Sequence, residues 1–186
     1  RGHAAERTLD TWYSRVHVEE ILARAAAVGT RKQLRRAEKN IAKAVMPKIK
    51  HLEIYYGDDD YGGDCTVKEV RPLLDRTDLK HLEYLGLKNS MFADELAKAL
   101  VGAKVLETLK TLDLSLGTMT DEGAKALVAA KDSLAHLDCL DLTRNFLSKD
   151  GVKLVKGLCK KVITDKQETA EAWGEGEMHY YVSIAE

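Results

Sequence analysis

The sequence predicts an α/β solenoid: a right-handed βα superhelix with a parallel sheet on its concave face and a helical cap at its N-terminus. Three observations lead there. An aliphatic triplet recurs four times, at Ile49, Leu52 and Ile54, then Leu82, Leu85 and Leu87, then Leu109, Leu112 and Leu114, then Leu137, Leu140 and Leu142. Its period is nearly constant, with Leu85 to Leu112 spanning 27 residues and Leu112 to Leu140 spanning 28. Between triplets the apolar spacing changes from two, as in a strand, to the three-and-four spacing of a helix. A strand, turn and helix of that length cannot bury an apolar side alone, so successive units must stack.

Taken in order, residues 1–48 carry no triplet and read as the N-terminal helical cap. Val16, Val18, Ile21, Leu22, Ala25 and Ala26 give a rough helical stripe that Gly29 ends. Leu34, Ala37, Ile41, Ala44 and Val45 give a second one that Pro47 ends. Opposite that stripe, Lys32, Arg35, Arg36, Lys39 and Lys43 make a basic ridge, which can meet phosphate backbones or simply be the solvated face of a cap.

Residues 49–164 hold four full repeats and a partial fifth strand at Val162, Ile163 and Thr164. Helices are expected over residues 66–74, 93–101, 121–130 and 149–159, on stripes such as Leu96 with Leu100 and Val152 with Val155 and Leu158. The first interval is longer because residues 58–64 insert an acidic, glycine-containing loop. Counted as an EF-hand, that loop puts Gly62 where an oxygen ligand is needed and follows a strand rather than a helix, so an ordinary β-to-α loop is expected. Residues 165–186 form an acidic tail broken by Trp173, Tyr180, Tyr181, Val182 and Ile184, apolar mass that is expected to close the open edge of the last repeat. The alternative is a free acidic recognition tail.

Composition narrows the class. The chain has 186 residues, 45% hydrophobic and 32% charged, with a net charge of −1, so any electrostatic argument must be local. Three scattered cysteines without C-x-x-C spacing favour a reducing, cytoplasmic setting. No apolar run is long enough for a membrane span, and no membrane partner is expected. The chain opens on Arg1 rather than Met, which leads us to expect a longer parent.

Residues 137–151 follow the frame L-x-x-L-x-L-x-x-N-x-L-x-x-x-G, and here the chain resembles the ribonuclease-inhibitor-like leucine-rich-repeat class. Asn145 stands where that class places a turn-bonding Asn, and Gly123 and Gly151 match its helix-start Gly. Ser90 and Gly117 depart from the Asn column, and Leu96 from the Gly column. More narrowly, residues 84–90, 109–118 and 181–186 look like stand-alone bacterial leucine-rich-repeat proteins, some of which carry an N-terminal module of the WGR type. The resemblance covers residues 48–186 and implies a fold rather than a specific activity.

Alternation in the strands puts the residues between the leucines on the concave face. Successive columns there hold His51, Tyr84, Thr111 and Cys139; Glu53, Gly86, Asp113 and Asp141; Tyr55, Lys88, Ser115 and Thr143; and, at the turn, Tyr56, Asn89, Leu116 and Arg144. Aromatic groups dominate binding hot spots and carboxylates receive a partner's Lys or Arg. Tyr55, Tyr56, Tyr84, Lys88, Asp113, Leu116, Asp141 and Arg144 are therefore the candidate partner-binding residues, although any such solenoid exposes polar groups on this side. No catalytic constellation or cofactor motif is read: His51 and Cys139 share a column but lie about 14 Å apart, three strands away. The sequence thus points to a non-catalytic module that binds another protein on its concave face. The rival readings are a nucleic-acid-associated protein using the basic ridge, or, by analogy with the ribonuclease-inhibitor class, an inhibitor or immunity-type protein of a toxic enzyme.

Overall fold

An aliphatic residue at every second strand position makes one buried face. The computed structural model, which describes residues 22–25, 43–57, 65–173 and 177–184, buries every member of the four triplets. Six strands carry or extend them: β1 (Leu22–Ala25), β2 (His51–Gly57), β3 (Tyr84–Ser90), β4 (Thr111–Asp113), β5 (Cys139–Asp141) and β6 (Val162–Ile163). They form one parallel sheet in chain order. Leu52 stands opposite Leu85, Leu85 opposite Leu112 and Leu112 opposite Leu140, so the repeat period becomes strand register.

The return path of each repeat is helical. It comprises α1 (Val67–Leu74), α2 (Ala93–Ala99), a 3-10 turn at Lys104–Thr108, α3 (Asp121–Ala129), α4 (Lys131–Leu134) and α5 (Lys149–Val155). Helix α1 starts on a capping box: the Thr66 hydroxyl accepts from the Lys68 amide, and Glu69 accepts from the Thr66 amide at 3.1 Å. Helix α5 stops at Val155 rather than running to Cys159, because Lys156 turns to ψ 128° and Gly157 takes φ +79°.

Neighbouring helices are tied by carboxylates. Asp94 accepts from the Thr120 amide at 2.8 Å, its hydroxyl at 2.6 Å and the Gly123 amide at 3.0 Å. One repeat later, Asp121 accepts from the Ser148 amide at 2.9 Å and its hydroxyl at 2.6 Å. A Cβ on Gly123 or Gly151 would collide with those carboxylates, which is why glycine starts these helices. The residue after the cap Thr66 is Val67, not an acid, and the next repeat carries Leu96 in the glycine position.

One expectation is corrected. Within the helix expected around residues 16–26, Leu22–Ala25 is a strand that pairs in parallel with β2, Leu22 opposite His51 and Ala25 opposite Ile54. The unpaired edge of β2 supplies hydrogen-bonding groups, and satisfying them outweighs the helix propensity of Ala and Arg. The rest of that helix lies outside the described residues, as does nearly all of the second, but residues 44–46 are non-helical ahead of Pro47.

Beyond β6, the Gln167 side chain accepts from the Leu147 amide and donates to the Leu142 carbonyl, and the Glu168 amide donates to the Asn145 carbonyl at 2.7 Å. A small antiparallel pair follows, β7 (Glu171–Trp173) with β8 (Glu177–His179). Residues 180–184 then return across the turns that follow β5 and β4 to Asn89 at the end of β3.

Candidate functional site

The sheet face opposite the helices is built from the residues left over by the leucine pattern. On β3 these are Tyr84, Gly86 and Lys88, with His51, Glu53 and Tyr55 on one side and Thr111 and Asp113 on the other. Gly86 lies between two acids. A Cβ there would press on Glu53 Cγ at 3.1 Å and on the Tyr84 ring at 3.2 Å, so the missing side chain lets the flanking groups converge over it.

They converge on Lys88. Its Nζ lies 3.1 Å from Glu53 Oε1 and 3.1 Å from Asp113 Oδ2, with the lysine side chain only 15% exposed. Tyr84 donates its hydroxyl to Asp113 Oδ2 at 2.6 Å, and Tyr55 donates its own to Glu53 Oε1 at 3.0 Å. The second Asp113 oxygen accepts from the Ser115 amide at 2.9 Å. The His51 ring stacks on Tyr84 at 3.9 Å, and Lys88 lies 5.2 Å from the centre of the Tyr55 ring.

The electrostatics follow from this crowding. Burial alone would lower the Lys88 pKa, but the Asp113 and Glu53 carboxylates outweigh it and the ammonium is held charged well above the ordinary lysine range. Tyr84 is pushed well above the ordinary phenol range, first by burial and then by its bond to Asp113 and that carboxylate's charge. His51 is pushed below its ordinary value, mainly by burial. Its Nε2 is buried and makes no hydrogen bond among the described residues.

The eight candidate residues divide. Tyr55, Tyr84 and Lys88 come together, partly exposed, around a buried Asp113. Asp113 is committed on both oxygens and does not await a partner's cation. Asp141 lies two strands from β3, half-exposed, accepting from the Thr143 amide at 2.8 Å. Tyr56 is a correction: it is 2% exposed and packs edge-on against Phe92 at 5.0 Å. It shares the parity of Leu52 and Ile54, and β2 continues to Gly57, so alternation carries Tyr56 inward.

Leu116 and Arg144 lie at the turn with Asn89, and all three adopt left-handed backbone, φ 69°, 53° and 56°. Leu116 is half-exposed; Arg144 is paired with Glu168 at 2.8 Å. Four residues of this region had no place among the candidates: His51, Glu53, Gly86 and Asn89. Two acids flanking a glycine, with a lysine two positions along the same strand, was the available signal for Glu53 and Gly86. The buried Asn89 meets residue 184, and no local pattern signals that contact.

Lys32, Arg35, Arg36 and Lys39 of the basic ridge, and the loop 58–64, lie outside the described residues. Lys43, at the ridge's end, is exposed. Among the described residues no helix is long and apolar enough to cross a membrane.

A family model described as leucine-rich repeat matches residues 105–128, which hold β4 and most of α3. The chain is also similar to a protein from Bacteroides fragilis known from its crystal structure, 30% identical with a TM-score of 0.62. That likeness covers 67% of this chain and 36% of the other, so the chain spans about a third of its structural relative. No protein with a curated function matches the chain.

Proposed function

From a chain that is a leucine-rich-repeat protein, we propose a module that holds a partner protein against the concave face of the sheet and performs no chemistry of its own. What supports this reading is the cluster on β2, β3 and β4. Two tyrosine rings and a lysine stand partly exposed there, fixed from below by carboxylates that are themselves buried. A surface whose rotamers are locked before encounter loses little side-chain entropy on binding. Tyrosines so held have the character of interface anchors.

The partner is expected to cover Tyr55 and Tyr84 and to present a Lys or Arg to Asp141, which is half-exposed on this face. Leu116 and Arg144 would form the rim at the turn side. The setting expected for such a module is the cytoplasm.

Affinity capture from lysate, with the retained proteins identified by mass spectrometry, tests the reading. A partner held by the native chain should be lost with Tyr55→Ala combined with Asp141→Lys and kept with Lys125→Glu on the exposed helix side. Equal capture by all three removes the concave face as the site.

A further inference from the structure

Residues 180–184 lie across the turns in a manner that reads backbone rather than side chains. Asn89, itself 2% exposed, donates from Nδ2 to the Ile184 carbonyl at 2.7 Å and accepts the Ile184 amide on Oδ1 at 2.9 Å. An amide side chain that bonds both polar groups of one residue recognises a peptide link whatever side chain it bears. One turn along, the Leu116 carbonyl accepts the Ser183 amide at 3.0 Å. At the third turn, Phe146 meets the Tyr180 ring edge-on at 5.1 Å.

Between these anchors the Val182 side chain is 5% exposed, which makes one position of the segment selective for an aliphatic group. The next position fits poorly. The Ser183 hydroxyl is buried and has no hydrogen-bond partner among the described residues, so the segment loses the hydration of that group without a compensating bond there. Tyr180, Tyr181 and Ile184 are each more than a third exposed, so much of the segment's apolar surface stays outside the groove.

We infer that Asn89 at the end of β3 and the turns after β4 and β5 form a peptide-binding site occupied in this chain by its own residues 180–184. Its ligand is a peptide segment of a partner protein that bears a branched aliphatic residue in the place of Val182 followed by a small residue without a hydroxyl. Such a segment keeps the backbone bonds to Asn89 and Leu116, avoids the buried unpaired hydroxyl, and displaces the internal strap. The site is distinct from the concave-face cluster of Tyr55, Tyr84 and Lys88, because it uses the ends of the strands and not their open face, and it meets the proposed rim at the Leu116 carbonyl.

A fluorescently labelled peptide of residues 178–184, MHYYVSI, and its Ser-to-Ala counterpart MHYYVAI provide the test, read by anisotropy on the full chain. The tethered strap competes at high effective concentration, so Val182→Asp in the chain should tighten binding of the free peptide by about tenfold or more. MHYYVAI should bind about tenfold more tightly than MHYYVSI, and Asn89→Ala added to Val182→Asp should weaken both by at least about tenfold.

Absence of binding to a Val182→Asp chain that still unfolds cooperatively overturns the inference, as does binding indifferent to Asn89→Ala. Should Val182→Asp fail to fold, hydrogen exchange on the native chain decides. Exchange of the Ser183 and Ile184 amides well ahead of the Leu112 amide supports a displaceable strap, and exchange as slow as Leu112 overturns it.

Discussion

Lys88 shows how one residue holds a surface together. Glu53 and Asp113 are 8% and 5% exposed, and the ammonium between them compensates both. Lys88→Met removes that compensation and should cost about 3–5 kcal/mol in denaturant unfolding, because breaking a buried pair strands its charges. The same cluster sets a pH dependence. Lys88 and Tyr84 hold their protons more tightly in the folded chain, so the unfolded chain releases them first and stability falls as pH rises. This contribution is complete below the ordinary phenol pKa of 10.0 and is lost above it, and Tyr84→Phe should flatten the alkaline limb of a stability-versus-pH curve. His51 acts in the opposite sense. It prefers to stay neutral when folded, so its contribution is complete above 6.5 and is lost as pH falls below that.

Between elements, the ties are made by short polar side chains at helix starts and turns. Asn145 is fully buried, donating to the Leu114 and Leu142 carbonyls and accepting from the Met119 amide at 3.0 Å. Its position in the repeat frame made it legible in the sequence. The coupling of Asp121 to Gly151 was not, because an acid and a glycine lying 30 residues apart mean nothing until two helices lie side by side. That coupling predicts a change of sign. Gly151→Ala alone should destabilise by about 1–3 kcal/mol, since its Cβ meets the Asp121 carboxylate. In an Asp121→Ala background the same change should be neutral or stabilising by up to about 1 kcal/mol, because alanine is the better helix former. Thermal or urea unfolding of the four chains of that cycle measures it.

At the scale of the whole molecule, a solenoid normally couples each repeat only to its neighbours. Here residues 180–184 touch three repeats at once, from Phe146 through Leu116 to Asn89. Asn89→Ala should loosen that link and lower the steepness of the urea transition, with the amides of β5 exchanging before those of β3. An unchanged transition would mean that the strap carries no cooperativity. By itself the sequence determined the stacked α/β repeats, the register of β2 to β5 and the helices behind them, because those follow from apolar periods repeated within a single turn of chain. Tertiary structure alone decided that Leu22–Ala25 extends the sheet, that Tyr56 turns inward, that Lys88 closes on two acids, and that residue 184 returns to Asn89. Each of those outcomes depends on which groups across the sheet or far along the chain are left unpaired, and local spacing carries no record of that.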